Sequence, residues 1–422
     1  ASGFSAAMNL SSLDGSNGFR LDGVAAGDHS GRSVRTAGDV NGDGFDDLIV
    51  GSRGADPNGS PSGSSYVVFG KASGFSAAMD LSSLDGSNGF RLDGEGAIGF
   101  SGRSVSTAGD INGDGFDDLI VGALDADPNG TNSGSSYVVF GQASGFSAAM
   151  NLSTLNGSNG FRLDGESAHD FSGGSVSNAG DVNGDGFDDV IIGATGANDH
   201  DYYASGGASY VVFGKASGFS AAMDLSSLDG SNGFRLDGSA ISGSRVSSIG
   251  DVNGDGFADV LVDTEYSGRY GQNPDASYVV FGKSSGFSAV MDLSNLDGTN
   301  GFTLFAGARV YDSSIAFNSA GDVNGDGFSD LIIGDDYANP NGSYSGFSYV
   351  VFGKASGFDA SVIIPRLGRD SDLRLDGEAG DLSGFSVSTA GDVNGDGFDD
   401  LIVGAVGADP NGNRDAGSSY II

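Results

Sequence analysis

The sequence contains no cysteine and no tryptophan, only 7 prolines and 3 histidines, and 19 basic residues against 56 acidic ones. The absence of cysteine excludes disulfides and thiol chemistry within the chain. The formal charge of −37 disfavours nucleic-acid binding, because an acidic surface repels phosphate backbones. No apolar run approaches the roughly 20 residues of a membrane helix. The chain also lacks an initiator methionine and a signal-peptide pattern, so we expect a mature product or an excised fragment.

What the sequence has in abundance is repetition. The segment Asp-Val-Asn-Gly-Asp-Gly-Phe begins at Asp39, Asp181, Asp251, Asp322 and Asp392, and an isoleucine variant begins at Asp110. The starts are 71, 71, 70, 71 and 70 residues apart. A fixed period of this size predicts one supersecondary unit used six times, and radial repetition is its natural arrangement.

Each unit contains four strand signals, illustrated by the second unit. Arg103–Ala108 is a short segment of small residues, and Asp118–Val121 ends in the apolar run typical of a strand buried on both faces. Ser136–Phe140 is β-branched and aromatic, and Phe161–Asp164 alternates as a half-exposed outer strand should. Turn-forming Gly, Asn, Asp and Pro lie between them. We therefore predict an all-β protein, a six-bladed β-propeller with four antiparallel strands per blade, in which residues 1–422 form a single domain.

The longest connection joins the third and fourth strands, for example Lys71 to Asn88, and is predicted to contain one short turn of helix. The chain begins inside such a connector, so Gly18–Asp22 has the sequence of an outer strand without its own blade. Its end, Ser418–Ile422, has the sequence of a third strand. Pairing the two would complete a sixth blade and remove the open edge. A segment cut in the same phase from a longer tandem array would have the same ends.

The repeated loop presents oxygen donors at alternate positions. Positions 1, 3, 5 and 9 are Asp, Asn, Asp and Asp, and the backbone carbonyl of the Phe at position 7 adds a fifth oxygen. These positions are Asp39, Asn41, Asp43, Phe45 and Asp47; Asp110, Asn112, Asp114, Phe116 and Asp118; Asp181, Asn183, Asp185, Phe187 and Asp189; Asp251, Asn253, Asp255, Phe257 and Asp259; Asp322, Asn324, Asp326, Phe328 and Asp330; Asp392, Asn394, Asp396, Phe398 and Asp400.

Such a donor set suits Ca²⁺, which takes six to eight oxygen ligands, better than Mg²⁺, zinc or copper. An EF-hand loop closes with Glu at position 12 and enters a helix, whereas position 12 is Val50 here. The alternative is that these are Asx-turns, in which Asp and Asn bond their own backbone. Six near-identical loops favour calcium, because three carboxylates in one loop repel each other without a cation. Position 8 varies (Asp46, Ala258, Ser329) and is not predicted to be a ligand.

The loop Asp-x-Asn-x-Asp-Gly-x-x-Asp, followed by Leu-Ile-Val-Gly-Ala and a Ser-Tyr-Val-Val-Phe strand, resembles the FG-GAP repeat. That repeat builds the propeller of integrin α subunits and occurs in large bacterial surface proteins. The resemblance covers essentially the whole chain, and it implies that each loop joins the first and second strands of a blade and binds calcium. The family's Phe-Gly opening appears here as Phe100-Ser101-Gly102. Integrin propellers have seven blades with calcium loops in only some, so integrin ligand chemistry is not transferred.

We expect about six Ca²⁺ ions with a structural role, each tying the first hairpin of its blade. Extracellular calcium modules commonly bind at about 10⁻⁴–10⁻³ M, and such loops would be emptier in a cytosol with little free calcium. We therefore expect an extracellular or cell-surface location, without nucleic-acid binding or membrane insertion, and a monomeric domain of a larger chain.

Tyrosines indicate a recognition surface. Six of the 13 are the repeated third-strand residue, and the other seven lie in loops of the third to fifth units, accompanied by two arginines. These candidate ligand-contacting residues are Tyr202, Tyr203, Tyr266, Arg269, Tyr270, Arg309, Tyr311, Tyr337 and Tyr344. Grouped aromatics of this kind are used to bind proteins and to stack on sugars. The alternative is that they cover glycine-rich backbone.

The sequence thus predicts a calcium-stabilised adhesion or recognition module that contacts a glycan or a cell-surface protein. A structural spacer in a giant exported protein is the second hypothesis, since near-identical repeats extend reach. A glycan-acting hydrolase or lyase is the third. The histidines His29, His169 and His200 lie in different units, and His29 takes the position of Phe100, which indicates packing. No nucleophile motif such as Gly-x-Ser-x-Gly is found in a strand-to-helix context, so we do not predict an enzyme.

Overall fold

The computed structural model describes residues 10–59, 61–143, 145–198, 206–239, 241–265, 276–305, 315–363, 373–410 and 416–422. In these residues the regular structure is β-strand, apart from 3₁₀ turns of three residues. No described helix has the length and apolar character needed to cross a bilayer. The prediction of an all-β chain is confirmed.

Six repeats follow one another, numbered 1 to 6 here by the loops that begin at Asp39, Asp110, Asp181, Asp251, Asp322 and Asp392. The first strands are Ser33–Gly38, Ser104–Gly109, Ser172–Gly180, Ile241–Gly250, Ile315–Gly321 and Ser383–Gly391. The second strands are Asp47–Ser52, Asp118–Ala123, Asp189–Ala194, Asp259–Glu265, Asp330–Asp335 and Asp400–Ala405. Each Asp-rich loop therefore joins a first to a second strand, as the resemblance implied.

The third and fourth strands complete each sheet. The third strands are Ser64–Val68, Ser135–Val139, Gly206–Val212, Ala276–Val280, Phe347–Val351 and Ser418–Ile421. The fourth strands are Gly89–Asp93, Gly160–Asp164, Gly233–Ser239, Gly301–Phe305 and Leu373–Asp376. The strand Arg20–Asp22, which precedes repeat 1, has the same sequence as Arg91–Asp93 in the fourth strand of repeat 1. Consecutive strands pair in order and antiparallel, for example Tyr66 opposite both Val50 and Arg91. The predicted four-stranded meander is confirmed for repeats 1 to 5.

The connectors between third and fourth strands contain a strand that the sequence did not reveal. Five three-residue strands, Ala78–Asp80, Ala149–Asn151, Ala222–Asp224, Val290–Asp292 and Ser361–Ile363, pair in parallel with the outer strand of the preceding repeat. The expected short helices are the 3₁₀ turns Leu10–Ser12, Leu81–Ser83, Leu152–Thr154, Leu225–Ser227 and Leu293–Asn295. In the turn at Leu81, the Asp80 carboxylate accepts a hydrogen bond from the amide of Ser82.

Phenylalanines secure these connectors. Phe146 in the connector of repeat 2 stacks on Phe90 in the fourth strand of repeat 1, with ring centroids 4.5 Å apart. Phe69 at the end of a third strand packs at an angle against both rings. The same trio recurs around Phe161, Phe234 and Phe302. Each connector thus joins two consecutive repeats through an apolar contact as well as a strand pair.

Burial of the central strands supplies the cores. All six residues of Asp118–Ala123 and all five of Ser135–Val139 are buried. One apolar cluster includes Leu119, Val121 and Phe90, and an equivalent cluster is built around Val260 and Phe234. The apolar side chains of the second and third strands therefore form the interior, and the loops are left at the strand ends.

The contacts divide the chain into two compact units. One comprises Ala1–Asp110, Asp114–Gly173 and Ser217–Asp224, and the other comprises Ile111–Gly113, Gly174–Ala216 and Leu225–Ile422. The first unit holds the sheets of repeats 1 and 2, and the second holds those of repeats 3 to 6. The single domain of six blades stays a prediction.

The predicted pairing of Gly18–Asp22 with Ser418–Ile422 is not among the strand pairs of the described residues and stays a prediction. Among the described residues, Arg20–Asp22 pairs in parallel with Ala78–Asp80, and Ser418–Ile421 pairs with Asp400–Ala405 in a three-stranded sheet. Each of these bonds uses one edge of its strand, just as Gly89–Asp93 bonds to Ala149–Asn151 on one edge and to Ser64–Val68 on the other. The amide of Arg20 donates to the carbonyl of Ala77 at 3.0 Å, and the amide of Ile422 donates to the carbonyl of Leu401 at 3.0 Å.

Candidate metal loops and tyrosine surface

The six loops share one backbone course, described first for repeat 1. Asp39 follows the first strand directly, and Asp47 opens the second strand. Gly42 and Gly44 have φ angles of 71° and 86°, a left-handed conformation that lets the chain curl back on itself. The repeated glycines at these positions are therefore required by the turn.

Position 1 holds the loop together. The two carboxylate oxygens of Asp39 accept hydrogen bonds from the amides of Asp43 and Gly44, at 3.0 and 2.8 Å. The same pair of bonds is made by Asp110, Asp181, Asp251, Asp322 and Asp392. These amides lie four and five residues after position 1, so the contacts reach further than an Asx-turn, which bonds the amide two residues on. Because they recur in all six loops, they define a common local geometry.

Positions 3 and 5 add two more side-chain acceptors. Asn41 Oδ1 accepts from the amide of Asp43 at 2.9 Å, and Asp43 Oδ1 accepts from the amide of Phe45 at 3.0 Å. The loops of repeats 3, 4 and 5 repeat both bonds. The oxygens of positions 1, 3 and 5 consequently lie around the same short stretch of backbone.

Position 9 behaves differently, because its carboxylate is buried. Asp47 is completely inaccessible, and its oxygens accept from the amides of Val40 at 3.1 Å and Gly70 at 2.7 Å. Asp189, Asp259 and Asp330 make the equivalent two bonds. Gly70 follows the third strand, whose last residue Val68 pairs with Leu48, so this side chain ties the loop to the adjacent end of the third strand.

Burial makes the charged form of these position 9 groups unfavourable. It raises the pKa of Asp47 to about 7, the pKa of Asp189 and Asp259 to about 8, and that of Asp330 to about 6. The two amide donors oppose the shift. The charges of Asp43 and Asp39 add to it, so the three carboxylates of the loop repel one another.

The donor chemistry fits a hard cation, although the carboxylates alone do not form a cage. No group of three or more Asp, Glu or His side chains within the described ranges converges closely enough to hold a metal ion. Amide and backbone carbonyl oxygens would therefore have to complete the coordination, and Asn41 and Phe45 supply them. The repulsion around Asp47 is the structural observation that a bound cation would relieve.

Neighbouring loops are joined through position 8, which sequence reasoning had set aside. The carboxylate of Asp117 accepts from the amide of Asp39 at 2.8 Å, and that of Asp399 accepts from the amide of Asp322 at 2.9 Å. Ala258 and Ser329 make only the backbone bond to the preceding loop. The sequence does show that position 8 varies among the repeats. It does not show the hydrogen-bond partner of this residue, because that partner lies in the preceding repeat.

Position 7 also contacts the preceding loop. The ring of Phe116 lies against Gly42, and a β-carbon added at Gly42 would collide with it. Phe257 covers Gly184 and Phe328 covers Gly254 in the same way. The phenylalanine whose carbonyl is a candidate ligand in one loop thus packs on the turn of the loop before it.

Two of the predicted recognition residues are described, Tyr337 and Tyr344. They lie between the second and third strands of repeat 5, with ring centroids 5.4 Å apart in an edge-to-face arrangement, and are 36% and 53% exposed. Tyr344 has a φ of 56° and its amide donates to Asn339, whereas repeat 2 has Asn132 in the same conformation. The other candidates, Tyr202, Tyr203, Tyr266, Arg269, Tyr270, Arg309 and Tyr311, lie outside the described residues.

A left-handed backbone is uncommon for a bulky side chain and is concentrated at functional sites. It also recurs in a structural role in this chain. His29, Phe100, Phe171 and Leu382 all have φ angles near 50°, each directly before a Ser-Gly pair. The prediction that His29 takes the position of Phe100 agrees with this shared conformation. His200 lies outside the described residues.

Comparison with known proteins gives two kinds of match. The FG-GAP repeat model matches residues 30–68, 101–139, 172–212, 317–351 and 383–422. Integrin alpha-4 of Xenopus laevis is 31% identical over 179 residues, which is 42% of this chain and 15% of that protein. Integrin alpha-PS5 of Drosophila melanogaster is 33% identical over 160 residues, which is 38% of this chain and 14% of that protein. The aligned segment spans about a seventh of the length of these integrins.

Proposed function

We infer that this chain, an FG-GAP repeat protein similar to integrin α subunits, works as a calcium-stabilised adhesion or recognition module outside the cell. Its six repeats would be the blades of a β-propeller. The observation that carries the proposal is the loop geometry. Oxygen donors surround one short turn, and the charges of Asp39 and Asp43 act on the buried carboxylate of Asp47. Integrins are cell-surface adhesion proteins, and the similarity favours a non-enzymatic function and protein or cell-surface partners.

The residues that would hold calcium in repeat 1 are Asp39, Asn41, Asp43, Asp47 and the carbonyl of Phe45. Bound calcium supplies positive charge where the carboxylates repel one another. The chain's own residues prepare the site, because Asp39 orders the turn and Asp47 anchors it to the sheet. With the same positions in the other loops, the chain would bind about six ions.

Titration with calcium alone tests this step. We expect the melting temperature to rise with calcium, to respond less to magnesium, and to fall again in chelator, with about six ions per chain by isothermal titration. A site filled at 100 times its Kd contributes about 2.7 kcal/mol, so the shift should be large. If calcium leaves the melting temperature unchanged and isothermal titration detects no binding, the loops do not bind calcium and this part of the proposal is wrong.

The recognition surface is argued from Tyr337 and Tyr344. Both rings are exposed, they contact each other, and Tyr344 keeps a conformation that its counterpart Asn132 adopts more easily. Amphipathic aromatics held in this way suit stacking on sugar rings or anchoring in a protein pocket. We assign glycan or protein binding to this loop, together with the tyrosine-bearing loops of the neighbouring repeats.

A glycan array and a cell-binding assay in millimolar calcium test this surface. The informative variant is Tyr344→Asn combined with Tyr337→Ser, because asparagine is the residue that repeat 2 has at this point of the turn. Binding that is lost in the variant, at an unchanged melting temperature, supports recognition. If the wild-type protein binds neither glycans nor cells in these assays, the spacer hypothesis is favoured.

A further inference from the structure

Arginines are unevenly distributed in this acidic chain. Arg20 and the arginines of the fourth strands each form an ion pair with the aspartate two residues on, as Arg91 does with Asp93. These side chains belong to the repeat itself. The other arginines among the described residues are Arg32, Arg35, Arg53, Arg103 and Arg245. Four of these five lie in repeats 1 and 2, where the repeat does not require them.

Three of these arginines come together around Gly51, near the end of the second strand of repeat 1. The glycine before Arg32 donates its amide hydrogen to the carbonyl of Gly51, at 3.1 Å. The glycine before Arg103 places its carbonyl oxygen against Gly51, where it would collide with an added β-carbon. Arg53 follows the same strand directly. The arginine cluster, Arg32, Arg53 and Arg103, therefore lies at the strand end opposite the Asp-rich loop.

Arg53 is held by an aromatic ring. Its guanidinium carbon lies 6.0 Å from the ring centroid of Phe100, in the range of a cation–π contact. Its Nε atom is buried without a hydrogen-bond acceptor among the described residues. Repeats 2 and 6 have the apolar Leu124 and Val406 at this position, so the sheet does not need a charge there.

A carboxylate of the chain shows where the charges of two arginines act. Asp125 is half-buried, and burial raises its pKa, while the charges of Arg103 and Arg53 oppose this shift. Both guanidinium groups are thus close enough to attract one carboxylate beside them. Arginine binds carboxylates through parallel N–H donors, with a geometry that lysine lacks. The cluster is therefore suited to a carboxylate supplied by a ligand.

The loop that carries Phe100 also has an exposed apolar side chain. Ile98 is 58% exposed and has a φ angle of 70°. The equivalent residues before repeats 1 and 6 are Gly27 and Gly380, which adopt positive φ without strain. A β-branched residue in this conformation is an outlier, and such outliers are concentrated at functional sites. Ile98 thus adds apolar surface to the loop next to the arginine cluster.

We propose that Arg53 and Arg103 bind the carboxylate of an acidic glycan, with Arg32 adding positive charge and Ile98 contacting the apolar face of a sugar ring. The net charge of −37 repels nucleic acids at long range, whereas the arginines act within a Debye length of about 8 Å. A glycan with separated carboxylates satisfies both conditions. The inference rests on the proposed recognition function, but it uses residues of other repeats than the tyrosine surface does.

A glycan array tests the ligand class. It carries glycans that contain sialic or uronic acid, together with the same glycans lacking the acidic sugar. The wild-type chain should bind the carboxylated members only, and the signal should fall as salt is added. Equal signals for acidic and neutral members, or none for the acidic ones, would overturn the proposal. An aspartate-rich peptide that binds more tightly than every carboxylated glycan would overturn the glycan as the ligand.

Variants in repeats 1 and 2 test the residues, by titration with the carboxylated glycan that gives the strongest array signal. Arg53→Leu, which introduces the residue that repeat 2 has as Leu124, should weaken binding about tenfold. Asp125→Asn should tighten binding about twofold to threefold, because a competing carboxylate is removed. Lys71→Gln, with Gln142 as its natural counterpart, removes a charge elsewhere and should bind like the wild type. Wild-type affinity of Arg53→Leu, or equal loss in Lys71→Gln, would overturn the assignment.

The double variant Tyr337→Ser/Tyr344→Asn separates this site from the tyrosine surface. It should keep the affinity for the carboxylated glycan, which Arg53→Leu loses. If the tyrosine variant loses this affinity and Arg53→Leu keeps it, the acidic glycan binds at the tyrosine surface and the arginine site is wrong. Failure of the arginine site and failure of the tyrosine surface therefore give different results.

Discussion

The backbone amide of Asp39 donates a hydrogen bond to the side-chain carboxylate of Asp117, 78 positions further along the chain, at 2.8 Å. The amide of Asp117 in turn donates to the carbonyl of Asp39 at 3.3 Å. Two candidate metal loops are therefore connected directly, outside any strand pair. The same two-way contact joins Asp322 and Asp399. A change in one loop can consequently affect the stability of the next.

We expect Asp117→Ser to lower the free energy of unfolding by about 1–2 kcal/mol, because a hydrogen bond to a charged acceptor is lost. Serine is the natural residue at this position in repeat 5, as Ser329, so the turn itself should tolerate it. The measurement is urea denaturation. Asp46→Ser is the control, since Asp46 is exposed in the same position of repeat 1. Equal effects of the two substitutions would contradict a specific role for Asp117.

Gly42→Ala should destabilise the protein more than Gly44→Ala. Both glycines have positive φ, which costs a residue with a β-carbon about 1–2 kcal/mol. The β-carbon at position 42 would also collide with the Phe116 ring, adding about 1–3 kcal/mol, whereas nothing lies near Gly44. Thermal unfolding of the two variants measures the difference. Equal losses would mean that the loops do not pack on each other as described.

The two carboxylates Asp185 and Asp189 should respond differently to replacement by asparagine. Asp185 accepts one amide hydrogen bond, from Phe187, which an asparagine oxygen can also accept. Asp185→Asn should therefore leave stability in chelator unchanged and reduce only the calcium-induced rise in melting temperature.

Asp189 accepts amide hydrogen bonds on both oxygens, and an asparagine NH₂ group cannot accept the second. Asp189→Asn should cost about 1–3 kcal/mol even in chelator, because one buried donor loses its partner. A variant at Asp189 that is as stable as the wild type in chelator would contradict the anchoring role of position 9.

The metal-free protein should lose stability as the pH rises from about 5 to about 8. The pKa of Asp189 and Asp259 in the folded chain, about 8, lies above the unfolded value near 3.9. Their contribution to stability is fully present below the unfolded pKa and disappears as pH rises through the folded pKa. Exposed groups with a lowered pKa, such as Asp85, change the pH dependence of stability only below about pH 4.

Melting temperatures of the metal-free chain across this range provide the measurement. Saturating calcium should flatten the slope, because metal binding favours the ionised carboxylates. The double variant Asp189→Asn/Asp259→Asn should flatten it without calcium. A metal-free melting temperature that increases between about pH 5 and pH 8 would contradict the raised pKa values.

Local sequence was sufficient for the repeat and its antiparallel strands. The apolar run after Asp118 predicted a strand to Val121, and the structure extends it to Ala123. The period located all six loops between first and second strands. These predictions succeeded because they depend on residues that are close in the chain, namely alternation, turn glycines and runs of β-branched side chains.

The connector strands illustrate what local sequence could not reveal. Ala149–Asn151 is three residues long, too short for a recognisable pattern, and its partner Gly89–Asp93 belongs to the preceding repeat. Position 8 was set aside because it varies, yet Asp117 bonds to a residue in another loop. The parallel pair of Arg20–Asp22 with Ala78–Asp80 was missed for the same reason, since the connector strand is three residues long and lies in the next repeat.

The sequence by itself determined the strands, the turns and the oxygen donors of the loops, because backbone preferences and side-chain chemistry are local properties. The tertiary structure decided which strands meet and which carboxylates are buried. Burial and pairing depend on distances between residues far apart in the chain. The same aspartate is an exposed turn acceptor at position 1 and a buried group of raised pKa at position 9, as Asp39 and Asp47 show.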